Sequence, residues 1–588
     1  MAMMMQAAKY TVPKVKNPPM NMSVDRWPFV KRSGQMWNEA MTWYPAWREL
    51  AQFCNPTRGF FLDDIPNRGK QIDFKTVIDG HARRACRTLA SGMTSGLTSP
   101  SRPWFRLGLP NPDLLDDIES KIWLDEVQSR MLDVFAKSNI YGVLHSMYEE
   151  IATFGTACSF LEEDPRDVIR GRVYTAGEYF LACGPDGRVN SFYRRFWMST
   201  FQMVERFGLE NCSPAVQAQF NTHNDGWHKI HHLIETNDTR IPQYKDFKNM
   251  PFRSIYWEDG SQVNTYLSLG GYQEFPLLTP RWDTTTTADA YGRGPGWDAL
   301  GDVKMLQKER REGLTALAKV VNPPMQKDSS VQGDVNTMPG GITVSSSSTP
   351  NAGLRPAYQI NPDLNAMRQE VLDTKKAISE AFFADLFLMM QDDQRSGITA
   401  TEIAERQAEK LQILGPVLER LENELLNPLI SRTFAIMFRA GLFPPPPPQI
   451  QGMELKIQYI SVLAQAQKMA SVTAIDQWTA GVIGEFQNTG DSSMLDIVDF
   501  DEKNAEKADM LGVPAKIVRS PDAMATLRQQ RAQQAAQAQQ AALINQGADT
   551  AQKMGGAVKS LSDAKTGGPE DGGGSALDAI LNGVKGQQ

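Results

Sequence analysis

Residues 297–321 read WDALGDVKMLQKERREGLTALAKVV and predict a long helix around which the rest of the chain is organised. Apolar residues recur three, four or eight positions apart, which places them in one stripe of a helix with 3.6 residues per turn. The stripe consists of Leu300, Val303, Leu306, Leu314, Leu317 and Val321. The helix is expected to follow the glycine-rich turn Gly292–Gly296. It should end at Asn322-Pro323-Pro324, because proline lacks the N–H that a helix needs.

Two further helices are predicted downstream. The second has Asn361 as its N-cap and Pro362 in its first turn. Its apolar stripe consists of Leu364, Met367, Val371, Ile378, Phe382, Leu386 and Met389. The third begins at the capping-box pattern Thr399-Ala-Thr-Glu402 and ends near Gly441, before five consecutive prolines. Between the second and third helices, Met389–Gly397 is a polar hinge.

The segment between the first two helices is rich in Ser, Gly and Pro. It is roughly 35 to 40 residues long, whereas helix–helix connections usually have about two to eight. A loop of this length is expected either to be disordered or to pack on something outside its own chain. The charged residues Lys304, Lys308, Arg311, Lys375 and Lys376 lie away from the two apolar stripes. They form either a solvated face or a face that looks into a charged lumen.

The composition limits the function. A chain of 588 residues is expected to form about three or four domains. Its net charge of −7 argues against tight, non-specific nucleic-acid binding, which requires a basic surface. The five cysteines make no CxxC pair, so neither a disulfide framework nor a zinc site is expected. We expect no signal peptide and no membrane-spanning helix, because no apolar run is long enough.

The sequence gives no support for an enzymatic function. The chain has no GxxxxGK[ST] phosphate loop, no GxSxG and no HExxH, so we expect neither catalysis nor a cofactor. The turn Gly292–Gly296 resembles a phosphate loop only superficially, because Pro295 removes a donor. The cluster His228, His231 and His232 leaves a metal-dependent hydrolase as a hypothesis. On a strand, however, His231 faces the opposite side from the other two, so structural histidines are the favoured interpretation.

The remaining segments predict an α+β protein that is mostly helical. Residues 1–23 are expected to form a mobile arm, and residues 24–290 to contain helices followed by antiparallel strands. Predicted strands include Val173–Ala182, Val189–Trp197, Trp227–Ile234, Arg253–Trp257, Gln262–Leu269 and Phe275–Trp282. Pro185-Asp186-Gly187 predicts a hairpin turn, and Met453–Ala480 a helix. The Ala- and Gln-rich residues 522–546 predict another helix, and residues 547–588 a disordered tail.

Several of these motifs, taken in order, resemble the portal (head-to-tail connector) proteins of short-tailed, podovirus-type bacteriophages. The resemblance covers roughly residues 30 to 480. The matching stretches are Trp37…Tyr44-Pro45, Leu89-Ala-Ser-Gly-Met93…Leu97-Thr-Ser-Pro100…Trp104-Phe105-Arg106-Leu107, Gly271-Tyr272…Pro276…Arg281-Trp282…Tyr291-Gly-Arg-Gly-Pro295, Val321-Asn-Pro-Pro324, Ile398-Thr-Ala-Thr-Glu402 and Leu414-Gly-Pro416…Leu421…Glu424-Leu425…Pro428-Leu429. The C-terminal part and residues 326–359 are not matched in detail.

The resemblance implies a ring of about twelve subunits around a DNA channel, closed by repeated contacts between identical neighbours. It also assigns a part of the ring to each segment. The parts are a wing (24–290), stem helices (291–321 and 362–388), a clip (322–361), a tunnel loop (389–398), a long wing or crown helix (399–443), a crown (444–521) and a possible barrel (522–546).

The resemblance further implies functional residues and partners. Stem residues facing DNA would be Lys304, Lys308, Arg311, Lys375 and Lys376. Tunnel-loop residues would be Gln391, Asp392, Asp393, Gln394 and Arg395. Clip residues that contact the packaging motor and the tail adaptor would be Lys327, Asp328, Asp334 and Arg355. The implied partners are double-stranded DNA, the terminase large subunit, the scaffolding and major capsid proteins, and a tail adaptor protein, with no membrane.

This resemblance implies a virion protein made in the host cytoplasm that conducts DNA during packaging and ejection. Another virion component, such as an internal ejection protein, remains the alternative. The two hypotheses differ in one observable, because an ejection protein should interact with lipid vesicles and a portal should not.

Overall fold

The computed structural model describes the chain in several stretches. They are residues 25–61, 77–109, 118–244, 246, 249–261, 265–327, 329, 331, 334–336, 354–357, 362–387, 414–452, 456–459, 462–489, 496–511 and 521–563. The predicted arm at 1–23, the tunnel loop at 389–398 and the capping box at 399 lie outside the described residues. The chain divides into two compact units, Met1–Ile497 and Val498–Gln588.

The first unit begins with helices. They are α1 (Trp27–Met41), α2 (Tyr44–Phe53), α3 (His81–Leu97), α4 (Ile118–Lys137) and α5 (Ile140–Phe154), with strand β1 (Phe105–Gly108) between α3 and α4. The helix α5 lies at the centre of the core, since all but five of its fifteen residues are buried. It contacts α2, α3, α4, β2 and β3. It ends at Gly155, which has a φ of 83° and therefore the left-handed conformation that glycine adopts most readily.

Antiparallel strands follow, as predicted. They are β2 (Cys158–Asp164), β3 (Val168–Tyr174), β4 (Tyr179–Cys183), β5 (Val189–Ser199), β6 (Trp227–Thr236), β7 (Phe252–Glu258), β8 (Ser268–Tyr272) and β9 (Leu277–Leu278). Strands β4 to β8 form a five-stranded sheet in sequential order, and β3-β2-β9 form a second sheet. The helices α6 (Thr200–Phe207) and α7 (Pro214–Asn221) lie between β5 and β6. The α+β class is confirmed.

Some strand predictions were wrong. The segment Val173–Ala182 is not one strand, because β3 ends at Tyr174 and a turn precedes β4. Of the strand predicted at Gln262–Leu269, residues 262–264 lie outside the described part of the chain, and the strand found there is Ser268–Tyr272. Of the strand predicted at Phe275–Trp282, only Leu277–Leu278 is a strand. The hairpin turn at Pro185-Asp186-Gly187 is confirmed, and Gly187 has a φ of 75°.

The long helices come next. They are α8 (Pro295–Val321), α9 (Leu364–Ala381), α10 (Gly415–Leu421) and α11 (Asn427–Arg439), with a π-helical turn (Glu422–Leu426) joining the last two. Short strands β10 (Met325–Lys327) and β11 (Leu354–Pro356) pair as a ribbon between α8 and α9. The glycines before α8 pack on the end of α5. A Cβ on Gly294 would lie 2.4 Å from the Ile151 carbonyl oxygen. The prediction that Gly292–Gly296 leads into a helix is confirmed, and that helix begins at Pro295, inside the glycine-rich stretch.

The second long helix differs from its prediction at both ends. Its cap is Asp363 rather than Asn361, and the Asp363 carboxylate accepts hydrogen bonds from the backbone N–H groups of Asn365 and Ala366. The helix ends at Ala381 rather than continuing to 388. Phe383, with a φ of 53°, interrupts the helical backbone, and the described residues resume as helix at 384–387.

Strand β12 (Lys456–Tyr459) and helix α12 (Val462–Thr489) complete the first unit. The helix predicted at Met453–Ala480 was therefore wrong in its first part, because Lys456–Tyr459 pairs with β1. The second unit contains α13 (Phe500–Leu511) and α14 (Pro521–Asp563). The helix predicted at 522–546 is present but continues to Asp563, which corrects the disorder predicted from residue 547; residues 564–588 lie outside the described part.

Candidate functional site

The candidate site is the hairpin that α8 and α9 form. The two helices run antiparallel, since Glu309 accepts a hydrogen bond from the Thr374 hydroxyl at 3.2 Å and Gly313 faces Met367 farther out. The base of the hairpin is the beginning of α8 and the end of α9. Its tip is the ribbon of β10 and β11.

The apolar stripe of α8 is buried only at the base. Val303 and Leu306 are fully buried, whereas Leu314 is 56% exposed and Val321 is 77% exposed. The start of α9 behaves in the same way, because Leu364 is 45% exposed. Within the described residues, the outer half of the hairpin therefore keeps its apolar side chains in water.

A polar anchor holds the base of the hairpin. Gln307 is buried on α8 and makes three hydrogen bonds with the segment before α3. Its Oε1 accepts from the backbone N–H groups of Ile78 and Asp79 at 2.7 and 2.9 Å. Its Nε2 donates to the Asp79 carbonyl oxygen at 2.8 Å. Both halves of the amide are satisfied, so this contact fixes the rotation of α8 about its own axis.

The Asp79 carboxylate, which is buried, binds cations from three helices. Lys375 on α9 lies 2.8 Å away, Arg310 on α8 3.2 Å and Arg84 on α3 3.7 Å. Burial raises the pKa of the Asp79 carboxyl, but the hydrogen bond and charge of Lys375 and the charge of Arg310 outweigh burial, so the pKa lies below its usual value. Asp79 therefore stays ionised and ties both hairpin helices to α3.

The sequence did not single out Asp79, Gln307 or Arg310. A signal existed for Gln307, because it lies four residues after Val303, at a stripe position where an apolar residue is expected. A polar residue in such a position indicates a buried hydrogen bond. Asp79 carried no comparable signal, because its two nearest cationic partners, Arg310 and Lys375, lie more than 200 residues away in sequence.

The structure separates the five cations predicted to face DNA into two groups. Two are tied to the body of the chain, since Lys375 binds Asp79 and the Lys304 ammonium lies 2.6 Å from Glu49 on α2. The others, Lys308, Arg311 and Lys376, are exposed on the hairpin. Contact with DNA remains a prediction for all five.

The exposed hairpin cations have acidic neighbours. Lys308 lies 3.9 Å from Glu312, and Lys376 lies 3.7 Å from Glu380, each one helical turn further along. All four of these side chains are mostly exposed, so each pair contributes little to stability. Their effect is to balance the charge of the outer surface.

Three of the four predicted clip residues are described, and they lie at the tip of the hairpin. Lys327 is exposed on β10 and Arg355 is exposed on β11, while Asp334 is exposed in the connecting segment. Asp328 and the tunnel-loop residues Gln391, Asp392, Asp393, Gln394 and Arg395 lie outside the described residues. The roles of all these residues remain predictions.

Small residues on α3 allow the chain to approach closely just before the predicted tunnel loop. The ring of Phe387 lies on Gly92, where an added Cβ would be 2.2 Å from the ring. Phe383 packs against Trp282 with ring centroids 5.9 Å apart. These two contacts hold the end of the hairpin against the body of the chain.

The three clustered histidines have separate hydrogen-bond partners. His228 contacts Thr200 and Gln219, His231 contacts Tyr193, and His232 contacts Ser254. Burial lowers the pKa of His232 well below its usual value, so its ring is neutral. Among the described residues, no group of three or more His, Cys, Asp or Glu side chains is arranged to hold a metal ion. A search of the described helices found none with the length and hydropathy needed for a membrane span.

Comparisons with known proteins are consistent with this geometry. Residues 29–518 match the family described as "Bacteriophage head to tail connecting protein". A probable portal protein of Bordetella phage BPP-1 is 41% identical over 539 residues, which cover 91% of this chain and 96% of that protein. The portal protein of Salmonella phage epsilon15 is 39% identical over 556 residues, which cover 94% and 97% respectively.

The similarity to one solved structure is weaker. A chain from the neck of an empty GTA particle, computed with C6 symmetry, shares 10% identity at a TM-score of 0.36. The alignment covers 75% of this chain and 92% of that chain. A structural similarity with so low a TM-score does not support any inference about the present chain.

Proposed function

We propose that this chain, which belongs to the family of bacteriophage head-to-tail connecting proteins, assembles into a ring of about twelve subunits that conducts double-stranded DNA. The hairpin of α8 and α9 is the stem of that ring. Residues 24–290 form its wing, residues 322–361 its clip and residues 389–398 its tunnel loop. Residues 444–521 form its crown, and the Ala/Gln-rich residues 522–546 form a barrel.

One observation carries this proposal: the outer half of the hairpin leaves a row of apolar side chains in water. The row consists of Leu314, Leu317, Val320, Val321, Leu364 and Leu372, each at least two-fifths exposed. Exposed apolar patches of this kind mark sites of protein association. Contacts between identical hairpins around an axis would bury the row, because a ring repeats the same contact until it closes.

The net charge of the chain is compatible with a channel through which DNA passes. A basic wall would hold DNA by counterion release, with an affinity that rises with each phosphate neutralised. The net charge of −7 and the balanced pairs Lys308–Glu312 and Lys376–Glu380 avoid such a wall. The channel would therefore act through shape and weak contacts, without bond chemistry and without a cofactor.

The clip and wing would supply the binding surfaces for other virion proteins. Exposed clip residues such as Lys327 and Arg355 are suited to contact the terminase large subunit during packaging and the tail adaptor protein later. The wing would contact scaffolding and major capsid proteins. Synthesis would occur in the host cytoplasm, and the final location would be the portal vertex of the virion.

The test is the assembly state of the purified full-length protein. Negative-stain microscopy and sedimentation should show rings of about twelve copies. The double variant Leu314→Asp/Leu317→Asp should sediment as single chains with an unchanged circular-dichroism spectrum. The matched control Lys319→Asp, on the same helix but outside the apolar row, should still assemble.

A wild-type protein that stays monomeric at high concentration would contradict the ring. So would a Leu314→Asp/Leu317→Asp variant that assembles normally. The family match and the named relatives do not favour the ejection-protein alternative. Vesicle flotation tests it directly, since an ejection protein would float with lipid.

A further inference from the structure

A groove of about 600 Å³ lies beside β5, the second strand of the five-stranded sheet. Residues of three parts of the fold line it. They are Arg194, Phe196 and Met198 on β5, Glu162 and Arg172 on β2 and β3, and Gln202, Glu205 and Arg206 on α6. Since a water molecule takes up about 30 Å³ in the liquid, the groove has room for about twenty waters, which is more than one small ion can fill.

Aromatic rings hold the Arg194 side chain in place. Arg194 and Phe196 project from the same face of β5, because side chains two residues apart on a strand share a face. The guanidinium carbon of Arg194 lies 4.1 Å from the centroid of the Tyr174 ring and 4.3 Å from that of the Phe196 ring. Stacking on ring faces fixes a guanidinium but uses none of its N–H groups, which point outward in its own plane.

The N–H groups of Arg194 remain available. Within the part of the chain that the structure describes, its side chain donates no hydrogen bond and forms no ion pair. Its Nε is enclosed, whereas the two terminal nitrogens are not, and the groove is the open space that Arg194 borders. These nitrogens carry four N–H groups in a rigid fork that matches the two oxygens of a carboxylate. A guanidinium fixed in this way is prepared to bind an acid from outside the chain.

The other charges of the groove leave one positive charge in excess. Glu162 pairs with two arginines, since its carboxylate lies 2.8 Å from Arg172 and 3.7 Å from Arg206. Glu205 is exposed on α6 and forms no ion pair with a described residue. The lining of three arginines and two glutamates therefore has a net charge of +1, which a single carboxylate would neutralise.

We propose that this groove binds an acidic segment of a partner protein, with a glutamate or aspartate carboxylate of that segment on the terminal nitrogens of Arg194. The two oxygens would accept one hydrogen bond from each nitrogen. A stretch of peptide fills a groove of this size better than a free acid does. A phosphate dianion would exceed the charge of the groove and would be repelled by Glu205. The binding does not depend on the proposed ring, because all the lining residues belong to one chain.

The test is saturation-transfer NMR of the blocked peptide acetyl-Gly-Ser-Glu-Ser-Gly-amide with the full-length protein, at ionic strength held constant with sodium chloride. The peptide should bind saturably. The same peptide with Gln in place of Glu should have a dissociation constant about fivefold higher or more, because it lacks the charged acceptor. Sodium acetate, which supplies a carboxylate without a peptide, should bind more weakly than the Glu peptide.

Two variants test the groove itself, each with a matched control. Arg194→Lys keeps the charge and removes the fork, so it should raise the dissociation constant of the Glu peptide about fivefold or more. Arg188→Lys makes the same change at an exposed position outside the groove and should leave the constant unchanged. Glu205→Gln removes a repelling charge and should lower the constant about twofold. Its control is Glu210→Gln, which is exposed outside the groove.

Circular dichroism checks that each variant is folded. If Arg194→Lys does not fold, Glu205→Gln still tests the proposal, because its side chain is exposed and its effect has the opposite sign. Equal binding of the Glu and Gln peptides would overturn the proposal. So would a dissociation constant that Arg194→Lys and Glu205→Gln both leave unchanged. Tighter binding of acetate than of the Glu peptide would show that the groove takes a free acid and not a protein segment.

Discussion

At the scale of single residues, Asp79 is the side chain on which the hairpin base depends most. It is the shared partner of Lys375, Arg310 and Arg84, and its own side chain is nearly buried. We expect Asp79→Asn to lower the free energy of unfolding by about 1–3 kcal/mol, because it leaves the partly buried Lys375 without its carboxylate and removes the ion pair with Arg310. Denaturant unfolding of the purified protein measures this loss.

The Asp79 carboxylate should also make the stability of the protein depend on pH in the acid range. Because the pKa of Asp79 is lowered in the folded chain, its stabilisation is complete above the unfolded value of about 4 and is lost as pH falls below it. The difference between wild type and Asp79→Asn should therefore shrink on acidification. The control Glu312→Gln removes an exposed ion pair and should cost less than about 0.5 kcal/mol at any pH. An equal cost for both variants would contradict the anchoring role.

We expect Glu150 on α5 to give the stability of the protein a pH dependence of the opposite sign. It is fully buried, and its Oε1 lies 3.7 Å from Arg58. Burial raises the pKa of Glu150 to about 7, although Arg58 acts against it. Since the folded chain binds this proton more tightly than the unfolded chain, stability falls as pH rises from about 4.5 to 7. Glu150→Gln should therefore raise the melting temperature at pH 8 and leave it nearly unchanged at pH 4.5.

The free energy of unfolding should rise by at most about 3 kcal/mol at pH 8. This is the cost of ionising Glu150 when its pKa is about 7 in the folded chain and 4.5 in the unfolded chain. Glu149→Gln is the control, since Glu149 is the closest carboxylate to Arg58 at 2.8 Å. That variant should lower the melting temperature at pH 8. A destabilised Glu150→Gln at pH 8 would mean that the charged form is required by Arg58.

At the scale of elements, Gly92 and Gly96 on α3 provide a matched pair. A methyl group at Gly92 would collide with Phe387, whereas one at Gly96 meets nothing within 4 Å. Gly96→Ala should stabilise the protein by up to about 1 kcal/mol through helix propensity. Gly92→Ala gains the same helix propensity, but the added methyl group overpacks against Phe387. We therefore expect the free energy of unfolding to fall by about 1–2 kcal/mol. Thermal unfolding measures the stability change of each variant. If both variants are stabilised, the Phe387 ring moves aside freely.

Periodicity in the sequence identified the elements that form through local contacts. The stripe of α8 and the part of the α9 stripe from Leu364 to Ile378 were predicted correctly, because a helix repeats every 3.6 residues whatever it packs against. Phe382 and Leu386 lie beyond the end of α9, and Met389 lies outside the described residues. Strand β12 was missed because Lys456–Tyr459 becomes a strand only through pairing with Phe105–Gly108, far away in sequence. The same limit applied to the site, since the sequence placed Lys375 on a polar face but gave no sign that Asp79 holds it.

At the scale of the whole molecule, the exposed apolar row and the balanced charges of the hairpin act together in the proposed ring. The row brings the hairpins side by side, so any charge on one outer surface is repeated by every subunit. A change of one glutamate to lysine would alter a ring of about twelve copies by roughly 24 charges. The pairs Lys308–Glu312 and Lys376–Glu380 therefore have more influence in the assembly than their small contribution to a single chain suggests.

This amplification predicts the behaviour of Glu312→Lys/Glu380→Lys. Rings of this variant should bind double-stranded DNA at least about tenfold more tightly at low salt, with a steeper loss of affinity as salt rises, because each added cation releases counterions. The control Glu119→Lys/Glu210→Lys makes the same charge change at exposed positions on other elements and should leave DNA affinity within about threefold of wild type. Filter binding across a salt series measures both. If the two variants bind DNA equally, only total charge matters and the hairpin does not face the duplex. If only the hairpin variant gains affinity, these helices line the path of the DNA, and Glu312 and Glu380 lower the affinity of that path for the duplex that must slide through it.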